Sequence, residues 1–559
     1  MHRCAALTLA ALLSLAGAAQ AADPIMPLSE VQPGMICTAR SVIHGTAISS
    51  FDAEVLDVIA DDPVAGGARL LVRVSGPAID ATGVGPGFSG SPILCDGRYA
   101  GAISEGIGDY GNKVVLATPI EAILGARPTA AASARRAPAL LRAARPLTAP
   151  LTVSGLSSRT RRLLSRAAAK LDRTVLAAPP GPFAGYPVQD PVPGAAVAAS
   201  LSTGDISVGA VGTVAYRDGD QVFAFGHSLD ALGRRSLFMQ DAYVFGVINN
   251  PIGVPDLGAA TYKLTSSGGH PIGAITNDTF SAIAGSVGAG PASIPLRVTA
   301  RLHGSDKRET LESLLADERK LDLGAGLGLL APLAASTALD RLLGSFEPVA
   351  LTACVRFRVR ELRKPIGFCN PYFDSFTPLT DIGEAASMVD SFDLAPLHIR
   401  GSAVSLEATR NFADDVVVGG RGPGRVRAGS TAPVRVELRR RGGSSRSVTI
   451  QVPIPAGLRP GERTLVVEGN GFPDDEEEGD LLLELFGALT GGGGSTTAHA
   501  AAAEPRSPKS LARAVAALHR PLGIAAHFRH RDPRVVLRSN DVRFDGRAKV
   551  SLQVVRARR

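Results

Sequence analysis

Turn chemistry constrains this chain most: its apolar runs are short and are cut repeatedly by glycine, proline or an Asp-Gly pair. The pattern is clearest in residues 24–126, where "FDAEVLDVIA", "RLLVRVSG", "SPILCDG" and "RYAGAI" alternate or run apolar between turn residues. Asp96 and Gly97 stand between two such runs. A two-residue hairpin turn needs this pair, because both of its central positions require positive φ. The same chemistry recurs in "RDGD" at 217–220. With 62 Gly and 39 Pro against 5% aromatic residues, the composition points to a mainly β, turn-rich protein. At 559 residues the chain exceeds what one core serves, so several domains are expected.

The first 21 residues read as a secretory signal peptide: Arg3, an apolar run, and an A-x-A ending at Ala21. That run is too short to span a bilayer, and no later stretch offers about 18 uninterrupted apolar residues. Export to a secreted, periplasmic or cell-envelope location follows, without a membrane span. Cys4 falls within the leader, which leaves Cys37, Cys95, Cys354 and Cys369. An even number in an exported chain permits two disulfides. Their clustering suggests Cys37–Cys95 and Cys354–Cys369, among three possible pairings. No C-x-x-C or His/Cys cluster supports a metal site, and no cofactor is implied.

The net charge is +7, and residues 127–173 hold eleven Lys/Arg against the single acid Asp172. No aromatics interleave with those charges, so nucleic-acid stacking is not indicated and a solvated Ala/Arg linker is. It contains one helix, "SSRTRRLLSRAAAKLDR", ended by a Pro/Gly run. The expected organisation is 1–21 leader, 24–126 first β region, 127–190 basic linker, 191–300 second β region, 301–394 helical and mixed connection, and 395–559 a β-sandwich-like accessory domain. Within 301–394, "ETLESLLADERKL" reads as helical, as does the Ala/Leu/Gly-rich stretch to about Leu343. "TPIEAILGA" reads as a short helix with Thr118 as N-cap and Pro119 in its first turn. The acidic run at 474–480 lacks the spacing and turn glycine of an EF-hand loop, so it reads as a solvated charge run.

The chemistry concentrates in "GPGFSGSPILCDG". A serine nucleophile needs exposure on a tight turn, a base within hydrogen-bond reach, and N–H donors for an oxyanion. Gly87 lets the chain turn so that its N–H and that of Ser89 face one pocket, while Gly90 clears space beside the hydroxyl. Ser89 lies at the tip of the turn, and Ser91 is placed to bond within it. A strand follows Pro92, so this is not the strand-to-helix nucleophile elbow. Nine histidines follow the leader. His227 in "FAFGHSLD" and His44 in "VIHGT" both stand beside glycine in β-rich sequence, and His270 follows a Gly-Gly pair. His519, His527 and His530 lie in the basic tail and read as surface residues. His227, at the mouth of an apolar strand, is the preferred base. Asp80, Asp230, Asp241 and Asp278 are the candidate third members, with Asp278 preferred.

Residues 32–126 resemble the SpoIVB peptidase (S55) family of serine peptidases. The likeness runs through "PGMICTARSVIHGTAISSFDAEVLDV", "LLVRVSGPAIDATGVGPGFSGSPILCDGRYAGAI" and "ATPIEAIL". "FAFGHSLD" and "GHPIGAITNDTFSAIAG" resemble the family's Gly-His motif and its companion segment. Phe88 replaces the usual Met, one glycine of the family's TGG is missing, and the family's aspartate before it is not found, its matching position falling near Ser75 and Gly76. The resemblance implies a trypsin-like double β-barrel with Ser89 as nucleophile, His227 as base and the Gly87 and Ser89 N–H groups in the oxyanion hole. The serine block precedes the histidine block, so the two barrel halves would be permuted; a triad is defined by geometry and not by order. The implied activity is cleavage of protein or peptide substrates; a cell-wall or envelope partner belongs to a different reading, a cell-surface adhesion protein that would bind cell-wall polymer through residues 395–559. The rival class is a catalytically degenerate peptidase-like scaffold that binds at the cell surface.

Overall fold

A computed structural model describes residues 23–60, 67–107, 112–126, 145–146, 151–169, 175–179, 181–182, 184–249, 261–321, 324, 326–345, 349–375, 377–469, 505–519, 522–528, 534–539 and 542–556. Residues 1–21, read as a leader, much of the basic linker, the acidic run at 474–480 and His530 lie outside the described residues. The structure is mainly β.

Six strands of the first region close into a ring. They are β1 (Ile36–His44), β2 (Ala47–Ile59), β3 (Arg69–Ser75), β4 (Pro92–Cys95), β5 (Arg98–Gly106) and β6 (Val114–Pro119). Their order is β4-β1-β2-β3-β6-β5, all antiparallel, and β5 pairs back onto β4. Closure removes the free sheet edges. Phe51, Val55, Leu70, Val72, Phe88, Ile93 and Ile103 fill the ring. Asp96 and Gly97 both take positive φ between β4 and β5, as a two-residue hairpin turn requires.

The linker contributes β7 (Arg145–Pro146) against β5, then β8 (Leu151–Ser154) and β9 (Val175–Ala177), which pair in parallel around the helix Ser158–Ala169. A second ring follows: β10 (Ala196–Gly204), β11 (Ser207–Asp218), β12 (Gln221–Ala224), β13 (Gly233–Asp241), β16 (Pro271–Asp278) and β17 (Ile283–Val287). Its order is β10-β13-β16-β17-β12-β11, closed by the β10–β11 pair. Between β13 and β16, the hairpin of β14 (Val244–Asn249) and β15 (Thr261–Thr265) leaves this ring and docks on the first one. There Gly45 and Val244 exchange backbone hydrogen bonds. Leu94, Tyr99, Ile120 and Ile123 of the first ring pack against Tyr216, Phe223 and Ala284 of the second.

The sheet of the second ring extends outward from β10 through β19 (Arg308–Ala316), β18 (Ser293–Leu302), β22 (Ile399–Thr409), β20 (Ala350–Val359) and β21 (Ile366–Tyr372). The helices Leu327–Leu343 and Thr377–Asp390 share a hydrophobic core with it. Three expectations are corrected here. The stretch "ETLESLLA", read as helical, is strand β19. It forms a hairpin with β18 over nine residue pairs, joins β10 at its other side and buries Leu311 and Leu315, so sheet pairing overrides the helix propensity of Glu and Leu. Residues 399–409, assigned to the tail, form β22 and insert between β18 and β20. Thr118 does not cap the Ile120–Leu124 helix: its hydroxyl donates to Gly226 O in the second ring, 2.7 Å away.

Beyond residue 410, a four-stranded and a five-stranded sheet enclose a common core of Val434, Val436, Leu438, Leu465, Val467, Phe528 and Val550. The helix Pro508–Ala517 packs back against the middle region through Leu511 and Val515.

Cys37–Cys95 and Cys354–Cys369 are both bonded. The first clips β1 to β4, the strand into which the glycine-serine turn leads. It spans 58 residues, so the entropy model puts its stabilisation at about 4 kcal/mol. Replacing Cys37 and Cys95 together by serine should lower the resistance of the first ring to urea by about that amount, read from amide-exchange protection of β1 and β4. Unchanged protection would show that the barrel alone fixes these strands.

Candidate active site on the glycine-serine turn

Residues 84–95 are fully buried or nearly so. The turn is held from three sides by backbone bonds. Gly90 N donates to Ile103 O (2.7 Å), Ile103 N to Ser91 O (2.9 Å), and Thr213 N, from β11, to Ser89 O (2.8 Å). Glycine is required where these walls meet. A Cβ on Gly90 would lie 2.0 Å from Thr213 O and 2.6 Å from Phe225 N, and one on Gly85 would lie 1.9 Å from Thr261 O. Gly87 and Gly90 also sit at φ +94° and +90°, where side chains are strained. The Gly-His segment therefore packs directly on the serine turn.

Phe88 N and Ser91 N donate within the turn, to Gly85 O and Phe88 O. Among the described residues, the N–H groups of Gly87 and Ser89 donate to no acceptor. Ser89 Oγ is buried and has no hydrogen-bond partner among the described residues. A buried donor without an acceptor is costly and uncommon, so three such groups on one turn mark a place where a ligand atom is expected.

On the facing side, Phe225 is fully buried at φ +70°, an unusual conformation for a bulky side chain, and Gly226 follows at φ +67°. Strain of this kind concentrates at functional sites. The ring of Phe225 lies 6.0 Å from that of His227. His227 is buried, and its Nδ1 lies 2.7 Å from Ser228 O. A carbonyl only accepts, so Nδ1 carries the proton, and in the neutral ring Nε2 is the basic nitrogen.

Asp278, the last residue of β16, directs its carboxylate to the loop after the histidine and not to the histidine ring. Its carboxylate accepts from the N–H groups of Leu229, Asp230 and Ala231 at 2.7–2.8 Å. Burial raises its pKa, against those bonds and the nearby Arg235 guanidinium. Arg235 in turn makes a bidentate pair with Glu318 and a further bond to Asp230. Asp278 thus fixes the loop whose Ser228 carbonyl orients His227.

The other candidates lie elsewhere. His44 is exposed at the end of β1, edge-on to Tyr243. His270 bonds through Nδ1 to the buried Asp241 (2.8 Å), which also accepts from Tyr186 and from the Gln189 N–H. Asp80 pairs with Lys113 on the surface. His519 bonds to Asn370, and His527 lies 3.3 Å from Glu468. No group of three or more metal-ligating side chains occurs among the described residues, and no described helix is long and apolar enough to cross a membrane.

Sequence reasoning missed a polar cluster beneath the turn. Lys263 of β15 is buried; its Nζ lies 2.6 Å from Ser41 Oγ, 3.2 Å from Thr213 Oγ1 and 4.5 Å from the Phe88 ring centre. Ser41 Oγ lies 2.8 Å from Ser91 Oγ, and Thr213 Oγ1 donates to Gly87 O. Burial without a carboxylate pushes the Lys263 amine down to about 7. The available signal was parity: in "TYKLT", Lys263 shares the inward face with Thr261 and Thr265.

No protein-family model matches this chain, and no curated protein is significantly similar to it.

Proposed function

We propose that this chain is an exported serine peptidase acting through Ser89 and His227, on permuted halves of a trypsin-like double barrel. The observation that carries the reading is the pair of unengaged N–H groups, Gly87 and Ser89, flanking an unpartnered Ser89 Oγ. Two N–H donors on one turn are what a tetrahedral oxyanion requires. His227 N–H donation to Ser228 O supports the assignment of Nε2 as general base, in the orienting role that an aspartate fills in other triads. In this reading Asp278 is a positioning residue, and Ser89 Oγ attacks a peptide carbonyl while its proton passes to Nε2. The proton then goes to the departing amine, and water releases the acyl group. The two closed six-stranded rings and the resemblance to SpoIVB peptidases agree with this assignment. The two disulfides are compatible with an exported protein.

One observation favours a second reading. Ser89 is fully buried, as a packing residue of a non-catalytic scaffold would be. Hydrolysis of an unfolded protein such as casein separates the two. The wild-type chain should cleave it, and Ser89→Ala and His227→Ala should each lose on the order of 10⁶-fold in rate. A folded wild type with no activity above Ser89→Ala would support the scaffold, with binding as the role of the whole chain.

A further inference from the structure

We propose that the same turn carries a second activated hydroxyl, Ser91, whose proton passes through Ser41 to the Lys263 amine. This rests on the turn being an acyl-accepting site, and it is independent of His227. The chain of contacts is continuous: 2.8 Å from Ser91 Oγ to Ser41 Oγ, and 2.6 Å from Ser41 Oγ to Lys263 Nζ. Every group in it is buried, which excludes the water that would otherwise intercept the proton. Thr213 fixes the amine from the other side at 3.2 Å while its own hydroxyl is committed to Gly87 O. Lys263 N donates to Pro86 O, so the lysine backbone is tied to the turn it serves.

The amine can accept a proton only when uncharged, and its surroundings favour that state. It faces Ser41 from β1, Thr213 from β11 and the Phe88 ring from the turn. Desolvation alone accounts for its lowered pKa, with no charged group contributing. A lysine amine serving as base for a serine is an established variant of nucleophilic catalysis. The substrate class is an acyl donor, an ester or amide carbonyl. Ser91 Oγ bonds to the carbonyl carbon and its proton moves to Ser41. The Ser41 proton moves to Nζ, and the ammonium so formed returns a proton through the Ser41 hydroxyl to the alcohol or amine that leaves, the acyl group staying on Ser91 Oγ until water takes it as the acid.

The test uses a small fluorophosphonate. Ser91 Oγ would bond to phosphorus, fluoride would leave, and the proton would be taken up by the relay. The full chain is treated as wild type, Ser89→Ala, Ser89→Ala with His227→Ala, Ser89→Ala with Lys263→Met, and Ser89→Ala with Ser41→Ala. The adduct is placed by fragment mass spectrometry, and circular dichroism confirms folding. Ser89→Ala should be modified on Ser91 at a rate that rises about tenfold per pH unit below about 7 and then levels, following the amine. Removing His227 should leave that rate unchanged. Removing Lys263 or Ser41 should lower it at least 100-fold in folded protein. Modification of Ser89 in wild type with none on Ser91 in Ser89→Ala would overturn the relay alone. Modification of Ser91 that persists in Lys263→Met would overturn it too. A folded wild type modified at neither serine would remove the acyl-accepting reading of the turn, and the relay with it.

Discussion

Gly90→Ala should lose more than about 4 kcal/mol of stability, the range in which single substitutions become diagnostic of one mechanism. The added Cβ would sit 2.0 Å from Thr213 O and 2.6 Å from Phe225 N, and both are backbone atoms within the second ring. No side-chain rotation relieves such contacts, so either the turn leaves β11 or the two rings part. The positive φ of +90° adds its own strain. Gly97→Ala is the matched control: it is also at positive φ, but nothing lies within 4 Å of the new Cβ. That change should cost only about 1 kcal/mol. Thermal or urea unfolding of the two variants side by side checks this. Equal, small losses would show that the serine turn does not pack on the Gly-His segment as described.

Lys263→Met should make the chain more stable at neutral pH, with a gain that shrinks as pH rises. The amine has a folded pKa of about 7 against 10.5 for the free side chain. Between these values the unfolded chain holds a proton that the folded chain lacks, so stability increases with pH across this window. The burial penalty is fully present below pH 7, on the order of 5 kcal/mol for a shift of this size, and it is gone above 10.5. Methionine keeps the volume and removes the charge, and Ser41 and Thr213 retain Ser91 and Gly87 O as partners. The difference between wild type and variant, read from unfolding at pH 6, 8 and 10, should therefore be largest at pH 6. A difference that does not change with pH would show that Lys263 titrates normally and is not sealed from water.

The local features were legible in the sequence, and the non-local ones were not. Asp96 and Gly97 announced their hairpin because the turn's φ requirements act within two residues. The clustering of the cysteines anticipated both bonds. In contrast, "ETLESLLA" carries helix formers, and its pairing with its hairpin neighbour β18 and with β10, far upstream in sequence, makes it a strand. Thr118 looked like an N-cap because capping is local, yet its partner, Gly226, lies 108 residues away. At the site, the turn and the Gly-His segment could be read as motifs; the structure packs the Phe225 backbone against Gly90, while Ser89 Oγ makes no hydrogen bond to His227. Which carboxylate faces which ring could not be read. Asp278 holds backbone N–H groups, while Asp241 holds His270, a pairing set by the register of β13 and β16. Lys263 escaped notice because nothing local distinguishes a buried lysine from a solvated one except its parity on β15.

The most direct measurement is the position of a fluorophosphonate adduct on the wild-type chain near neutral pH. One adduct on Ser89, formed at least 100-fold more slowly in His227→Ala, is the result this account predicts. A folded chain that takes no adduct, or takes it outside residues 85–91, would contradict it.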